Sequence, residues 1–341
     1  MPSKIWLCLV ASALVLTPAH GQGRGGAKGF PQPQGAREVT VTEIPRVVAA
    51  GAKWTLAWQG PDNADGIVGT PDGGLLFAQE QPSQIGKLDT NDHLVVFLRD
   101  TGGAGALAID SRGRILAAQR TCTDPGRRPA GCTQPTAVAE LAPERKVLAS
   151  SINGKGLGRL NDLVVSKKGG VYFNGDGTYY LDPSGKVSAF GAGLRTNGIM
   201  LSREEETLYV TNALGGGQTI VAFDVQEADG SVTNQRDFGK LAAGGPGDGM
   251  AIDTAGRLYV STPPGVQVLS REGKYLGLIP TPRTAISVAF SGPGKKTLYV
   301  VGSGALGPDG KEFTTPEGVR NNAKSIYKIP MLAEGFQGRA K

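Results

Sequence analysis

Four polar residues stand at the same position in front of four apolar segments of the sequence, two residues before the first apolar residue. They are Asp65, Asn161, Asn197 and Asp248. Carboxylate and amide oxygens are the ligands that hard divalent cations prefer. Two carboxylates brought together repel each other, whereas neutral amides add ligands without adding repulsion. If the fold gathers the four side chains, they form a cation site; the alternative is that each marks an ordinary turn, since Asp-Gly and Asn-Gly are common turn dipeptides.

The four positions belong to an internal repeat in which an apolar segment, a turn and a second apolar segment follow one another. The copies begin at Ile67, Leu107, Leu163, Ile199, Met250 and Val288. Their spacings of 40, 56, 36, 51 and 38 residues are typical of four-stranded propeller blades. We therefore predict an all-β fold, a six-bladed β-propeller with a central channel over residues 38–341. A sandwich or an open solenoid is the alternative.

In a propeller the first strand of each blade lines the channel, so the residues that lead into it surround one end of the channel. We call the position two residues before each copy the slot. The two slots not named above hold Gly105 and Ile286. Gly66, Gly198 and Gly249 follow three of the slots, where glycine permits a sharp turn into the strand.

The ends of the chain must close the ring, because an open propeller leaves unpaired strand edges. We expect residues 38–59 to supply strands that complete the last blade beside Ser325–Ile329. Within that segment, residues 38–43 alternate polar and apolar side chains, a pattern that predicts a half-buried strand.

The N-terminus has the pattern of a secretory signal. Residues 1–21 contain Lys4, an apolar run and a small-residue cleavage site, so we expect a secreted or periplasmic protein beginning near Gln22. Residues 22–37 are rich in Gly, Pro and Gln, which predicts a disordered linker. In an oxidising compartment we expect a Cys122–Cys132 disulfide, with two free thiols as the alternative.

The charge pattern argues against several classes of partner. The net charge is +6, but the basic residues are scattered and do not form a patch interleaved with aromatics, so we expect no nucleic acid partner.

No segment of the mature chain is long and apolar enough to span a membrane. His93 is the only histidine after residue 21, and we interpret it as a surface or strand-end residue. We expect a monomer acting on a small molecule.

Three segments carry a family resemblance: residues 151–165, ending in Arg-Leu-Asn-Asp-Leu-Val-Val; residues 196–210, Thr-Asn-Gly-Ile-Met-Leu-Ser followed by Thr-Leu-Tyr-Val; and residues 247–280, starting with Gly-Asp-Gly-Met-Ala-Ile-Asp. They resemble the senescence-marker-protein/gluconolactonase/luciferin-regenerating-enzyme family of six-bladed propellers. The resemblance runs from about residue 64 to residue 300.

The resemblance implies one metal ion at the channel mouth, commonly calcium, with Mg, Mn or Zn as other possibilities, and hydrolysis of a sugar lactone or related ester. By motif position, Asn161, Asn197 and Asp248 match metal ligands of the family. Asp248 also matches the carboxylate implicated in catalysis, which activates water or attacks as a nucleophile after the metal has polarised the carbonyl.

The sequence departs from the family pattern at three places. The first-blade ligand is usually Glu and is Asp65 here; the second-blade asparagine that contacts substrate is Gly105; and the segment after the third-blade strand reads Phe-Asn-Gly-Asp at residues 173–176. Two hypotheses remain. One is an exported, metal-dependent hydrolase with Asp248 as catalytic residue, and the other is a non-enzymatic exported propeller that binds a sugar or a protein.

Overall fold

The computed structural model describes residues 35–123, 133–213, 218–242, 244–314 and 322–339. These form six four-stranded antiparallel sheets arranged as a β-propeller, which confirms the predicted fold class. The predicted signal segment, nearly all of the predicted linker, and Cys132 lie outside the described residues. Of the linker, residues 35–37 are described, and Arg37 donates hydrogen bonds to the backbone oxygens of Thr281, Pro263 and Pro264 at 2.8 to 3.0 Å.

Each blade contains one copy of the sequence repeat followed by its hairpin. Blades 1 to 3 comprise β2 (Ile67–Gly69), β3 (Leu75–Gln79), β4 (Gln84–Leu88) and β5 (Leu94–Arg99); β6 (Ala104–Ile109), β7 (Ile115–Gln119), β8 (Ala137–Ala142) and β9 (Lys146–Ala149); and β12 (Leu160–Val165), β13 (Val171–Gly175), β14 (Thr178–Leu181) and β15 (Val187–Phe190). A short hairpin, β10 (Ser151–Ile152) and β11 (Lys155–Gly156), connects blades 2 and 3.

Blades 4 to 6 follow the same order. They comprise β16 (Ile199–Leu201), β17 (Thr207–Asn212), β18 (Thr219–Val225) and β19 (Val232–Lys240); β20 (Met250–Ile252), β21 (Leu258–Thr262), β22 (Gly265–Leu269) and β23 (Tyr275–Pro280); and β24 (Ala285–Ser291), β25 (Thr297–Ser303), β26 (Lys324–Pro330) and β1 (Thr55–Gly60). The N-terminal strand β1 is the outermost strand of the last blade, so it closes the ring as predicted.

The predicted strand over residues 38–43 is wrong. These residues form no strand, although Val41 and Ile44 are buried against the core between blades 5 and 6. The physical reason is that Arg37 attaches the start of the segment to backbone oxygens of Thr281 and Pro264, and the burial of Val41 and Ile44 between blades 5 and 6 takes the place of strand pairing. The apolar residues of the segment are therefore used for packing alone.

The core lies between neighbouring blades, where their apolar faces pack together. The largest cluster joins blades 3, 4 and 5 and includes Val164, Tyr209 and Val260. The first strands of adjacent blades contact one another around the ring, β2 with β6 and β24, β12 with β6 and β16, and β20 with β16 and β24. This ring surrounds the channel and fixes the position of each slot residue. At one end of the channel the first strand of each blade begins and the second strand finishes. We call this end the channel mouth.

Candidate functional site at the channel mouth

The four predicted site residues lie around the channel mouth, and each is of intermediate burial. Asp65, Asn197 and Asp248 precede the first strands of blades 1, 4 and 5, as expected. Asn161 instead lies inside β12, at a register shift between Leu160 and Leu163 that marks a β-bulge. A bulge adds one residue to a strand and turns its side chain out of the regular alternation.

The glycines that follow the slots have a different role from the one predicted. Their backbones do not adopt the positive φ angles that require glycine. Instead, a Cβ on Gly198 would lie 2.0 Å from the backbone oxygen of Asp248, and one on Gly66 would lie 2.5 Å from the Cα of Ala106. Glycine is needed there because the first strands of neighbouring blades approach closely, and this approach brings the slots near to one another.

Arg120 links three parts of the candidate site. Its Nη1 donates to Asp65 Oδ2 at 2.6 Å and to Glu80 Oε1. Its Nη2 donates to the backbone oxygen of Asn161 at 2.7 Å and to Asn161 Oδ1 at 3.1 Å. The Nδ2 of Asn161 in turn donates to Asn197 Oδ1. One continuous hydrogen-bonded network therefore joins the slots of blades 1, 3 and 4.

Asp248 is coupled to this network through its charge. Burial raises the pKa of Asp248 well above its usual range, and the negative charges of Asp65 and Asp162 raise it further, while the Arg120 guanidinium opposes the rise. A carboxyl whose pKa is perturbed by burial and by neighbouring carboxylates is a candidate functional group. The sequence-predicted repulsion between the two slot carboxylates is therefore present at the channel mouth.

The donor set suits a hard divalent cation by its chemistry. Asp65 and Asp248 provide carboxylate oxygens, Asn161 and Asn197 provide amide oxygens, and a cation would relieve the repulsion that raises the pKa of Asp248. No group of three or more His, Cys, Asp or Glu side chains within the described ranges is placed to hold a metal. The oxygens of Asp65 and Asn161 already accept hydrogen bonds from Arg120, so a cation would share them with a guanidinium.

Sequence reasoning missed Glu80 and Arg120, the two most deeply buried members of the cluster, whose side chains are 1% and 3% exposed. They occupy the same place in the repeat, directly after the second strand, in Ala-Gln-Glu at residues 78–80 and Ala-Gln-Arg at 118–120. The signal in the sequence is the end of the second strand, where an acid and a base stand at equivalent positions in adjacent blades.

Asp162 was also missed, and its contacts are structural. Its Oδ1 accepts from the Leu163 amide at 2.9 Å and its Oδ2 from the Ile199 amide at 3.2 Å, so it connects blade 3 to blade 4. Its own amide donates to Asn174 Oδ1 at 3.0 Å. Asn174 belongs to the segment that departs from the family pattern, and it supports the bulge that carries Asn161.

The remaining sequence predictions concern residues away from the cluster. His93 has a side chain that is 77% exposed and is paired with Asp89 on an outer hairpin, consistent with a surface residue. Cys122 lies in a short 3-10 turn, but Cys132 is outside the described residues, so their disulfide stays a prediction. Within the described parts of the chain, no helix is long and apolar enough to cross a membrane.

A large cleft lies away from the channel mouth, between blades 2 and 3, and has a volume of about 620 Å³. Basic residues, including Arg112, Lys146 and Lys168, line much of it. Both of its acidic residues already accept hydrogen bonds, Asp110 from Arg112 and Arg114, and Asp182 from the amides of Ser184 and Lys186. The cleft therefore offers no carboxylate free to act as a base, and the channel mouth remains the better candidate site.

Comparison with known proteins agrees with the fold and the predicted resemblance. The gluconolactonase of Zymomonas mobilis is 28% identical over 301 residues, covering 75% of this chain and 78% of that protein. Among solved structures, the gluconolactonase XC5397 of Xanthomonas campestris has a TM-score of 0.67 at 21% identity, covering 89% and 98% of the two chains. The calcium-binding regucalcin of Agrobacterium tumefaciens has a TM-score of 0.64 at 16% identity, covering 83% and 95%.

The family match covers the blades that carry the site. Residues 64–304 match the SMP-30/Gluconolactonase/LRE-like region, a span that begins one residue before Asp65 and extends into blade 6 beyond Asp248. The chain therefore belongs to the SMP-30/gluconolactonase/LRE-like family.

Proposed function

We propose that this protein is an exported, gluconolactonase-like hydrolase of a sugar lactone or a related ester, acting at the channel mouth. The family supports this chemistry, and so do named relatives such as the Zymomonas gluconolactonase. The observation that carries the proposal is the gathering of Asp65, Asn161 and Asn197 in one hydrogen-bonded network, with Asp248 electrostatically coupled to it.

The four slot residues would hold a divalent cation, with Ca²⁺ as the first candidate and Mg²⁺, Mn²⁺ or Zn²⁺ as the others. The cation would supply Lewis-acid polarisation of the lactone carbonyl. Because the four residues are not fully buried, the channel mouth can admit a small molecule from solvent. The buried Arg120 donates hydrogen bonds to Asp65 and Asn161, and Glu80 pairs with Arg120.

We assign the proton transfer to Asp248, and its raised pKa supports this role. As general base it removes a proton from water while the water oxygen forms a bond to the carbonyl carbon. The ring carbon–oxygen bond then breaks, and the proton passes to the departing ring oxygen, which gives an open hydroxy acid. The alternative is direct attack by the Asp248 carboxylate on the carbonyl carbon, which breaks the ring carbon–oxygen bond, leaves a protonated hydroxyl and forms a mixed anhydride with Asp248. Water then hydrolyses the anhydride, which releases the hydroxy acid and restores Asp248.

The test is a lactone panel on the purified mature chain, which we expect to begin near Gln22. We expect hydrolysis of at least one aldonolactone above its spontaneous rate, supported by at least one of Ca²⁺, Mg²⁺, Mn²⁺ and Zn²⁺ and suppressed by a chelator. Base titration at constant pH measures the acid released. An absence of turnover with every lactone and every cation would contradict the proposal.

A non-enzymatic propeller that binds a sugar or a protein is the second candidate. Gly105 favours it, because the second-blade slot contributes no side chain to a substrate. Calorimetry on the same lactones distinguishes the two functions. Stoichiometric binding without release of acid would support the binding propeller, whereas turnover that depends on a cation would exclude it.

A further inference from the structure

The second-blade slot is occupied by a side chain from elsewhere in the same blade. A Cβ placed on Gly105 would lie 2.3 Å from Cζ and Nε of Arg120 and 2.6 Å from Oε1 of Glu80. No real Cβ approaches other atoms so closely, so even alanine could not be accommodated without moving the guanidinium. The absence of a side chain at Gly105 is therefore what allows Arg120 to reach the channel mouth.

Arg120 brings a permanent positive charge to the oxygens that a cation would use. Its contacts with Asp65 Oδ2 and Asn161 Oδ1 are direct hydrogen bonds of 2.6 and 3.1 Å. Arginine remains protonated at any pH at which the protein is folded. A divalent cation at the same two oxygens would lie close to the guanidinium and be repelled by it, because like charges a few ångströms apart interact strongly when partly buried.

Glu80 keeps Arg120 in this position. It is almost fully buried and accepts a hydrogen bond from the same Nη1 that contacts Asp65. Breaking a buried ion pair by removing one partner leaves an uncompensated charge, which is costly. Once Arg120 is removed, the charge of Glu80 therefore needs a replacement cation, and Asp65 and Asn161 are the neighbouring ligands.

We propose that Arg120 is the built-in counter-ion of the channel mouth, and that a divalent cation binds there only in competition with it for the oxygens of Asp65 and Asn161. The inference rests on the proposed function, because the divalent cation at the channel mouth is part of that proposal. It predicts that this protein binds its cation weakly and exchanges it readily, so that cation concentration controls how much of the protein is loaded.

The test is calcium binding to the chelator-treated mature chain, measured by titration calorimetry. We expect Arg120→Met to bind Ca²⁺ more tightly than the unaltered protein by about tenfold or more, since one neighbouring positive charge has been removed. The matched control is Arg114→Met, which removes another arginine that pairs with two acids, Asp110 and Glu140, away from the channel mouth. The control should leave Ca²⁺ affinity unchanged.

A second variant keeps the test decisive if Arg120→Met folds poorly. The double variant Glu80→Gln/Arg120→Met removes both members of the buried pair, and it should still bind Ca²⁺ more tightly than the unaltered chain. Calcium should also raise the melting temperature of both variants more than that of the unaltered protein.

Equal or weaker Ca²⁺ binding by the variants would overturn the proposal, since it would mean that Arg120 supports the ligands instead of competing with a cation. The readout is ion binding and does not depend on turnover. If the variants bind Ca²⁺ more tightly but the unaltered protein hydrolyses no lactone, this inference is retained and the proposed hydrolase function is removed. Lactone hydrolysis by the unaltered protein, together with unchanged Ca²⁺ affinity in the variants, would retain the hydrolase and remove this inference.

Discussion

The two ends of the propeller channel both carry aspartates beside arginines, but the hydrogen-bond donors to these aspartates come from different parts of the chain. At the end opposite the channel mouth, Asp253 Oδ1 accepts from the amides of Ala255 and Arg257, and its Oδ2 accepts from Arg257 Nε at 2.5 Å and Tyr259 Oη at 2.9 Å. All of these partners lie within six residues of the carboxylate. At the channel mouth, Asp65 contacts Arg120, which is 55 residues away in the chain.

Asp110 repeats the arrangement of Asp253 in blade 2. It begins the segment Asp-Ser-Arg-Gly-Arg at residues 110–114, while Asp253 begins Asp-Thr-Ala-Gly-Arg at 253–257. Burial alone would raise the pKa of Asp110, but hydrogen bonds from Arg114 and Arg112 outweigh it and lower the pKa. The pKa of Asp248 at the channel mouth is shifted in the opposite direction.

The difference separates structural carboxylates from candidate catalytic ones. A carboxylate that receives hydrogen bonds from its own turn stabilises that turn and is held in its ionised form. A carboxylate brought close to others by the closing of the ring is dominated by groups distant in the chain, and its protonation responds to whatever binds nearby. We therefore expect substitutions at the two ends to affect different properties of the protein.

The end opposite the channel mouth is also covered by the C-terminal segment. Arg339 is buried there, donating to the backbone oxygens of Leu201 and Ser202 and pairing with Glu205. Lys295 donates to the backbone oxygens of Phe336 and Arg339, both at 2.8 Å. These contacts hold the segment across blades 4 to 6, so this end has a structural role.

The largest stability effect is expected at Asp253. Replacing it with asparagine removes the fully buried charge that faces Arg257, whose side chain is 15% exposed, so the guanidinium loses its ionic partner. We expect the free energy of unfolding to fall by about 3–5 kcal/mol, the usual cost of breaking a buried pair. Urea denaturation followed by circular dichroism measures the loss. A fall of less than about 1 kcal/mol, comparable to an exposed pair, would show that Asp253 is not structural.

A smaller effect is expected from Lys295 at alkaline pH. Burial, with the charge of Arg339, lowers the pKa of Lys295 from 10.5 to about 8. Below pH 8 both the folded and unfolded chains carry the proton, and the fold bears the cost of a buried ammonium. Between about pH 8 and 10.5 the unfolded chain binds more protons than the folded one, so this group makes the protein more stable as the pH rises.

Comparison with Lys295→Met isolates this effect from the other groups that titrate at alkaline pH. Relative to the variant, the unaltered protein should gain about 1–3 kcal/mol of unfolding free energy between pH 7.5 and pH 10. Urea denaturation at the two pH values provides the measurement. A difference between the two proteins that does not change with pH would mean that Lys295 is not buried as its contacts imply.

The sequence predicted the blades well because each copy of the repeat carries its own signal. Apolar segments beginning at residues such as Leu163 and Met250 pair locally with the segment that follows, so their order could be read from the chain. The slot residues were found for the same reason, since their position relative to the repeat is constant. What the repeat could not show was the bulge at Asn161, which depends on the register between two strands.

Contacts between blades were harder to predict. Arg120 and Glu80 are separated by 40 residues, and their pairing depends on the absence of a side chain at Gly105. Nothing local to Gly105 indicates which side chain takes its place. The strand predicted for residues 38–43 was wrong for a related reason, because Val41 and Ile44 are buried between blades 5 and 6, a contact that the local alternation of residues does not reveal.

The most direct test of the account compares Asp248→Asn with Asp253→Asn, two aspartates five residues apart that belong to opposite ends of the channel. Lactone hydrolysis per folded molecule, with saturating cation, is measured for both. We predict that Asp248→Asn lowers the turnover rate by about a thousandfold or more, as loss of a catalytic group does, while remaining folded. Asp253→Asn should lose stability and keep its turnover. Equal turnover in Asp248→Asn and the unaltered protein would contradict the account.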